Sequence, residues 1–147
     1  MDIPAETHIS ALLRQGNVFY FEESAFASDE PHNFVLLNRQ PSSEQGLVFV
    51  CATSKVEKVR HFRLHEPAST IVTVGLTEYE HFTKETVFDC NTYVVKSFAD
   101  LVRLLKERRL KTRPHIGDGI LKRLVKGVLD SRVVEPDIKR AIADETT

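Results

Sequence analysis

Two unbroken apolar runs organise the chain: Phe34-Val35-Leu36-Leu37, entered through His32-Asn33, and Leu47-Val48-Phe49-Val50-Cys51-Ala52, left through Thr53-Ser54-Lys55. Each has the length of a strand, and the polar segment Arg39–Gln45 between them, with Pro41, Ser42 and Ser43, has the composition of a loop, so the pattern predicts two buried strands joined by a turn. Polar chemistry is displaced to the strand ends. There the backbone is rigid and side chains still reach solvent, so His32 at one end and Thr53, Ser54 and Lys55 at the other are expected to face a common site.

The remaining elements follow from period and punctuation. Ile9, Leu12 and Leu13 after Pro4 have helical spacing and predict a short helix over about 5–15. Gly16 ends it, and Val18-Phe19-Tyr20-Phe21 predicts a strand. Glu22–Pro31, with Ser24, Ser28 and Asp29, predicts a loop. Lys55–Pro67 fits either a strand or an irregular loop. Ser69–Val74 predicts a strand closed by Gly75, and Glu85–Asn91 and Tyr93–Val95 predict two short strands separated by a kink. Ser97 with Asp100 marks a capped helix whose inner face is Phe98, Leu101, Val102 and Leu105. Pro114, Gly117 and Gly119 break the pattern. Asp118 is then placed to cap a helix carrying Ile120 or Leu121, Leu124, Val125, Val128 and Leu129, slightly weakened by Gly127. Pro136 opens a last short helix with Ile138, Ala141 and Ile142, ahead of a frayed Asp144–Thr147 tail. One helix, a run of strands and then helices is the order of an α+β domain with a mostly antiparallel sheet or small barrel.

Composition narrows the class. With 147 residues, 41% hydrophobic and 28% charged, the chain suits one globular domain, and no apolar stretch approaches the ~20 residues of a membrane span. The opening Met1–Glu6 lacks the basic and apolar segments of a secretory signal, so a cytoplasmic location is expected. Cys51 and Cys90 lie in separate strand-like runs without zinc spacing and read as buried free thiols. The formal net charge of -1 conceals a cluster of cations from Arg103 to Lys126, which points to a polyanionic partner. No phosphate-binding Gly-rich loop, HExxH, paired CxxC or GxSxG is present, so nucleotide, zinc-protease and serine-hydrolase chemistries lack their usual motifs.

Five segments carry a resemblance. Gly16-Asn17-Val18-Phe19-Tyr20, Pro31-His32-Asn33-Phe34-Val35-Leu36-Leu37, Val50-Cys51-Ala52-Thr53-Ser54, Lys84-Glu85-Thr86-Val87-Phe88-Asp89-Cys90-Asn91 and the helix from Ser97 resemble, in order, elements of the MazF/PemK toxin family. The resemblance spans about 16–142, with an extra stretch around 60–68. It implies an SH3-like barrel over about 16–96 with appended C-terminal helices to about 144, all one domain. It also implies a metal-independent endoribonuclease that cleaves single-stranded RNA, a growth inhibitor that acts as a homodimer, needs no cofactor and is restrained by a cognate antitoxin. Thr53, with Ser54, matches the family's catalytic hydroxyl. His32 stands where members have a catalytic arginine, Asn33 where they have proline, and Asn17 where an acid is usual. An arginine would hold a fixed charge on the phosphate, whereas a histidine can move a proton.

The residues themselves fit such a reaction. Metal-free RNA cleavage needs a base for the 2′-hydroxyl, a donor or cation for the phosphoryl oxygens and an acid for the leaving oxygen. His32, Thr53 and Ser54 are the catalytic candidates. Lys55, Arg39, Arg60, His61 and Arg63 are the candidates for holding RNA. Each has a plainer alternative: His32 as a surface residue, Thr53 and Ser54 as a strand-ending turn, the 60–65 cluster as a solvated strand face, Arg108–Arg113 as an exposed helix end, and Phe19, Tyr20, Phe34 and Phe49 as core. A catalytically inactive barrel that binds RNA or protein is the competing function.

Overall fold

The strand Leu47–Thr53 (β3) buries both of its faces, and the rest of the fold is arranged to supply both covers. The computed structural model describes residues 3–23 and 30–143. Ser24, Ser28 and Asp29 of the expected loop, and the tail from Asp144, lie outside the described residues. The other elements are α1 (Ala5–Ala11), β1 (Val18–Phe21), β2 (His32–Leu36), α2 (Val56–Phe62), a 3-10 turn at Ala68–Thr70, β4 (Ile71–Val74), β5 (Thr86–Asp89), β6 (Val94–Lys96), α3 (Phe98–Lys106), β7 (Leu110–Arg113), α4 (Asp118–Asp130) and α5 (Pro136–Ile142). This is a mixed α+β fold in which every strand pairing among the described residues is antiparallel.

Alternation along the central strands sorts side chains between two cores. Phe19, Phe21, Phe34, Leu36, Leu47 and Phe49 pack on one face beneath Ile9 of α1 and Leu101, Val102 and Leu104 of α3. The rings interlock: Phe21 stacks on Phe34 at 4.2 Å, and Phe19 meets Phe49 edge-on at 5.6 Å. Such pairs add about 0.5–1.5 kcal/mol each beyond their burial. Val18, Val35, Leu37, Val48, Val50 and Ala52 face the other way, covered by α4, α5 and the β4–β5 pair through Ile120, Leu124, Val128, Ile142 and Phe88.

One edge of β3 pairs with β2. Its other edge is shared, first with β6 (Leu47↔Lys96 to Phe49↔Val94) and then with β5 (Ala52↔Phe88, Thr53↔Val87). The strand order runs β4-β5-β3-β2-β1-β7, and because β4 and β7 do not pair with each other the sheet stays open instead of closing into a barrel. Asn38, fully buried after β2, ties the β2–β3 loop by donating to the Gly46 carbonyl at 3.0 Å and accepting from the Val48 N–H at 2.6 Å. No helix among the described residues is long and apolar enough to cross a membrane.

Ser97 and Asp100 form the expected reciprocal capping box at the start of α3. Other expectations are corrected. The ambiguous 55–67 segment contains a helix, α2, whose periodicity was masked because it buries Val56 while Phe62 and the following Leu64 stay exposed. Arg108–Arg113 is not a helix end. α3 stops at Lys106, Arg108 takes a positive φ of 59°, and the chain returns as edge strand β7 beside β1 with Leu110 in the core. Asp118 is the first residue of α4 and makes no side-chain cap, Gly117 holding the cap position with φ of 100°. The first helix ends at Ala11, short of the expected Gln15.

Gly127 is present for packing. A Cβ there would sit 2.8 Å from the Ser69 carbonyl oxygen and 2.8 Å from Cys90 Sγ. Helix propensity alone favours Gly127→Ala by about 1 kcal/mol. A clash with backbone outweighs it, since overpacking costs about 1–3 kcal/mol. Urea denaturation of Gly127→Ala is therefore expected to show a lower midpoint than the parent protein, and a raised midpoint would contradict this packing.

Candidate functional site

Phe34 pairs with Cys51, so continuing the register two places sets His32, the first residue of β2, opposite Thr53, the last of β3. Both line one cleft of about 500 Å³, with Ser54 and Lys55 on its wall. The four residues expected from the sequence to face a common site thus line the same cleft. Tyr20 and Asn33, register partners on β1 and β2, contribute from the sheet, Arg113 comes from β7, and His81, Thr83 and Lys84 come from the β4–β5 connection. Glu30 is the one carboxylate among the described residues that line it, against Lys55, Lys84 and Arg113.

Arg113 is held by an aromatic face and an imidazole. Its guanidinium carbon lies 4.4 Å over the Tyr20 ring, and its Nη1 donates to His81 Nδ1 at 2.8 Å. Because an arginine N–H can only donate, His81 Nδ1 must carry the lone pair, which puts the imidazole proton on Nε2, 3.5 Å from Glu80 Oε1. No ion pair joins Arg113 to a carboxylate among the described residues, and its Nε is buried without a hydrogen-bond partner. The same is true of the Asn33 carbonyl oxygen.

The backbone beyond Arg113 is pinned from both sides. The Tyr79 hydroxyl donates to the Pro114 carbonyl at 2.7 Å, and His115 Nε2 donates to the Gln15 carbonyl at 3.0 Å while its Nδ1 accepts from the Gly117 N–H. His115 leaves no room for a side chain at Gly16, where φ is 95°. Burial, reinforced by Glu80 and opposed by Arg113, pushes the Tyr79 hydroxyl up to about 12. Burial likewise pushes the Cys51 thiol up to about 12 and raises Cys90 further, which keeps both free cysteines as thiols.

The other sequence candidates are dispersed. Thr53 Oγ1 accepts from the Lys55 N–H at 3.2 Å, so the strand-ending turn is realised, while the hydroxyl proton stays available for donation. Arg60 binds Glu57 and Thr73, and Arg63 is spent on Asp89 at 2.9 Å and Thr92 at 3.0 Å, tying α2 to the end of β5. His61 is exposed on α2, and Arg39 lines a separate groove beside α4. Of the five RNA-holding candidates only Lys55 lines the cleft. Phe19, Phe34 and Phe49 are core as expected, but Tyr20 is half-buried and belongs to the site.

Sequence reasoning missed Tyr20, His81 and Arg113 as site residues. Leu110-Lys111-Thr112-Arg113 does carry a strand's alternation, an edge signal overshadowed by the preceding helix. His81 sits in an aperiodic loop that gives no signal. Among the described residues no cluster of three or more His, Cys, Asp or Glu is placed to hold a metal ion. Compared with known proteins, the chain matches no protein-family model and no curated sequence.

The Tyr79 anchor has a pH signature. A tyrosine whose folded value rises from 10 to about 12 contributes stability that is whole below pH 10 and lost as pH climbs towards 12. Unfolding free energies measured between pH 9 and 12 are expected to fall less steeply in Tyr79→Phe than in the parent protein. Parallel curves would show that the hydroxyl is not buried as described.

Proposed function

We propose that this chain is a metal-independent endoribonuclease that cleaves single-stranded RNA by attack of the 2′-hydroxyl on the adjacent phosphorus. The observation that carries the reading is the convergence in one cleft of two imidazoles, His32 and His81, the hydroxyls of Thr53 and Ser54, and the Arg113 guanidinium. This is a set for moving protons and stabilising a phosphorane, with Glu30 the one carboxylate among the described residues that line it. In the step, the bond from 2′-oxygen to phosphorus forms and the bond from phosphorus to 5′-oxygen breaks. One histidine takes the 2′-hydroxyl proton, and a second acid returns a proton to the leaving 5′-oxygen, leaving a 2′,3′-cyclic phosphate. His81, neutral with its proton on Nε2, suits hydrogen-bond donation to a phosphoryl oxygen, which leaves His32 as base and the Lys55 ammonium as the acid. Thr53 and Ser54 donate to the non-bridging oxygens, and Lys55 and Lys84 attract the strand.

The MazF/PemK resemblance supplies the wider reading: an SH3-like barrel, a growth-inhibiting toxin, a homodimer and an antitoxin partner in the cytoplasm. The shared use of β3 by β6 and then β5 suits a strongly bent sheet of that kind. The arginine missing at position 32 is offset by Arg113, which enters the cleft from another strand.

The test is incubation of purified protein with single-stranded RNA in excess chelator. The parent protein is expected to yield cyclic-phosphate ends, and RNA deoxygenated at the scissile 2′ position is expected to resist. His32→Ala should lower the rate by about 10²–10⁴-fold, the range for loss of a general acid or base, and Thr53→Ala should lower it less. Undiminished cleavage by both variants would refute the site. Salt-dependent RNA binding without products would instead favour the inactive RNA-binding barrel.

A further inference from the structure

α2 is fastened to the fold by one face and leaves the other to solvent. Val56 is buried, Arg60 binds Thr73, and Arg63 is held by Asp89 and Thr92. Lys58 and Phe62 are both exposed and, being four residues apart, are neighbours on one side of the helix. Lys55, just before the first turn, stands on the wall of the cleft. A shallow groove of about 420 Å³ carries the cleft onward, sharing Ser54, Lys55 and Lys84 with it and adding Lys58 beside Glu57 and Glu85. Lys55, Lys58 and Lys84 make no ion pair among the described residues, whereas Glu57 is neutralised by Arg60 at 3.0 Å, so three ammonium groups face the one remaining carboxylate, Glu85. Phe62 is 73% exposed, and the guanidinium carbon of Arg63 lies 4.7 Å over its ring. Since Arg63 is itself tied to Asp89, it steadies the phenyl group from one side and leaves the other side to solvent.

We infer that α2 extends the cleft into a track for single-stranded RNA, with phosphates held by Lys55, Lys84 and Lys58 and one unstacked base resting on Phe62. Cations along a backbone path together with an exposed ring for the bases are the means by which single strands are bound without a sequence code. A duplex, whose bases are stacked inside it, has no free base face to offer Phe62. From Lys55 to Phe62 the helix advances about 10 Å, so the bound strand runs well past the bond being cut. The track rests on the nuclease reading for what happens in the cleft, and adds to it the class of substrate: a strand several nucleotides long that is unpaired where it crosses α2.

The experiment measures, by fluorescence anisotropy, how the full chain binds 2′-O-methyl oligouridylates of two and eight nucleotides, whose blocked 2′-oxygen prevents cleavage. The octamer is expected to bind about tenfold or more tightly than the dimer, because only the longer strand gains the added phosphate and stacking contacts. Phe62→Ala, at an exposed position, is expected to weaken the octamer by about fivefold or more, the loss of one base–aromatic stack, and to leave the dimer unchanged. Phe62→Trp, which keeps a ring, is expected to retain octamer binding. Lys58→Ala is expected to flatten the dependence of log affinity on log salt by about 0.7, the share of one phosphate contact on a single strand. An octamer no tighter than the dimer, or a salt dependence unchanged in Lys58→Ala, would overturn the inference. So would octamer binding that Phe62→Ala leaves intact, the outcome expected if Phe62 and the exposed Leu64 serve a protein partner instead. Octamer binding that is lost in Phe62→Ala, in a protein that leaves cleavable RNA intact, would sink the nuclease reading alone. Cleavage of long RNA with the parent kcat/KM by both the Phe62→Ala and Lys58→Ala variants would sink the track alone.

Discussion

A strand covered on both faces has no position along its middle where a charge can reach water. β2 and β3 are such strands: Phe34, Leu36, Leu47 and Phe49 meet the α1–α3 side, and Val35, Leu37, Val48 and Val50 meet the α4–α5 side. An unpaired charge placed at any of these positions would cost several kcal/mol, against a typical net stability of about 5–15 kcal/mol for a domain. Polar chemistry on these strands is therefore confined to their ends. Since the two strands run antiparallel, the start of one and the finish of the other fall on the same side of the sheet, and His32 and Thr53 line one cleft there.

The shared edge of β3 completes the enclosure. By releasing β6 at Phe49 and taking β5 from Ala52, the strand turns the β4–β5 pair over the sheet, and the connection between β4 and β5 brings His81 and Lys84 to the mouth of the cleft. The same turn is braced from outside by α2. Arg63 and Asp89, each only 18% exposed, form the pair that fastens α2 to β5. Removing one partner would strand a partly buried charge, so these groups are committed to the brace. Arg60 and Arg63 thus reflect attachment of the helix, while the cations that reach the cleft come from strand ends and a loop.

The two central strands were legible in the sequence because burial on both faces writes itself as an unbroken apolar run, and the Ser97–Asp100 box because capping uses a local pattern. His32, Thr53 and Ser54 stood out for the same reason, being polar residues at the ends of those runs, and they line one cleft. α2 and β7 were not. The helix buries too few of its apolar residues to show a period, and the edge strand keeps only Leu110 in the core, with its cations marking it as the continuation of a helix. Arg113 and His81 were illegible on different grounds. Their meeting depends on β7 pairing with β1 and on the β4–β5 connection folding across, and these long-range events leave no trace in local spacing.

The way Arg113 is held sets it apart from the other cations of the cleft. A carboxylate partner would fix the guanidinium more firmly than an aromatic face, which contributes about 0.5–2 kcal/mol, but it would also cancel the charge and fill the donors that a phosphoryl oxygen requires. Stacking on Tyr20 and a bond to the lone pair of His81 orient the group while leaving its charge intact. The arrangement carries a cost, since the buried Nε–H has no acceptor among the described residues. An arginine held in this way is preorganised, as a flexible lysine on the rim is not. The cations of the cleft differ accordingly: Lys55 and Lys84 are exposed and solvated, whereas Arg113 is oriented by Tyr20 and His81.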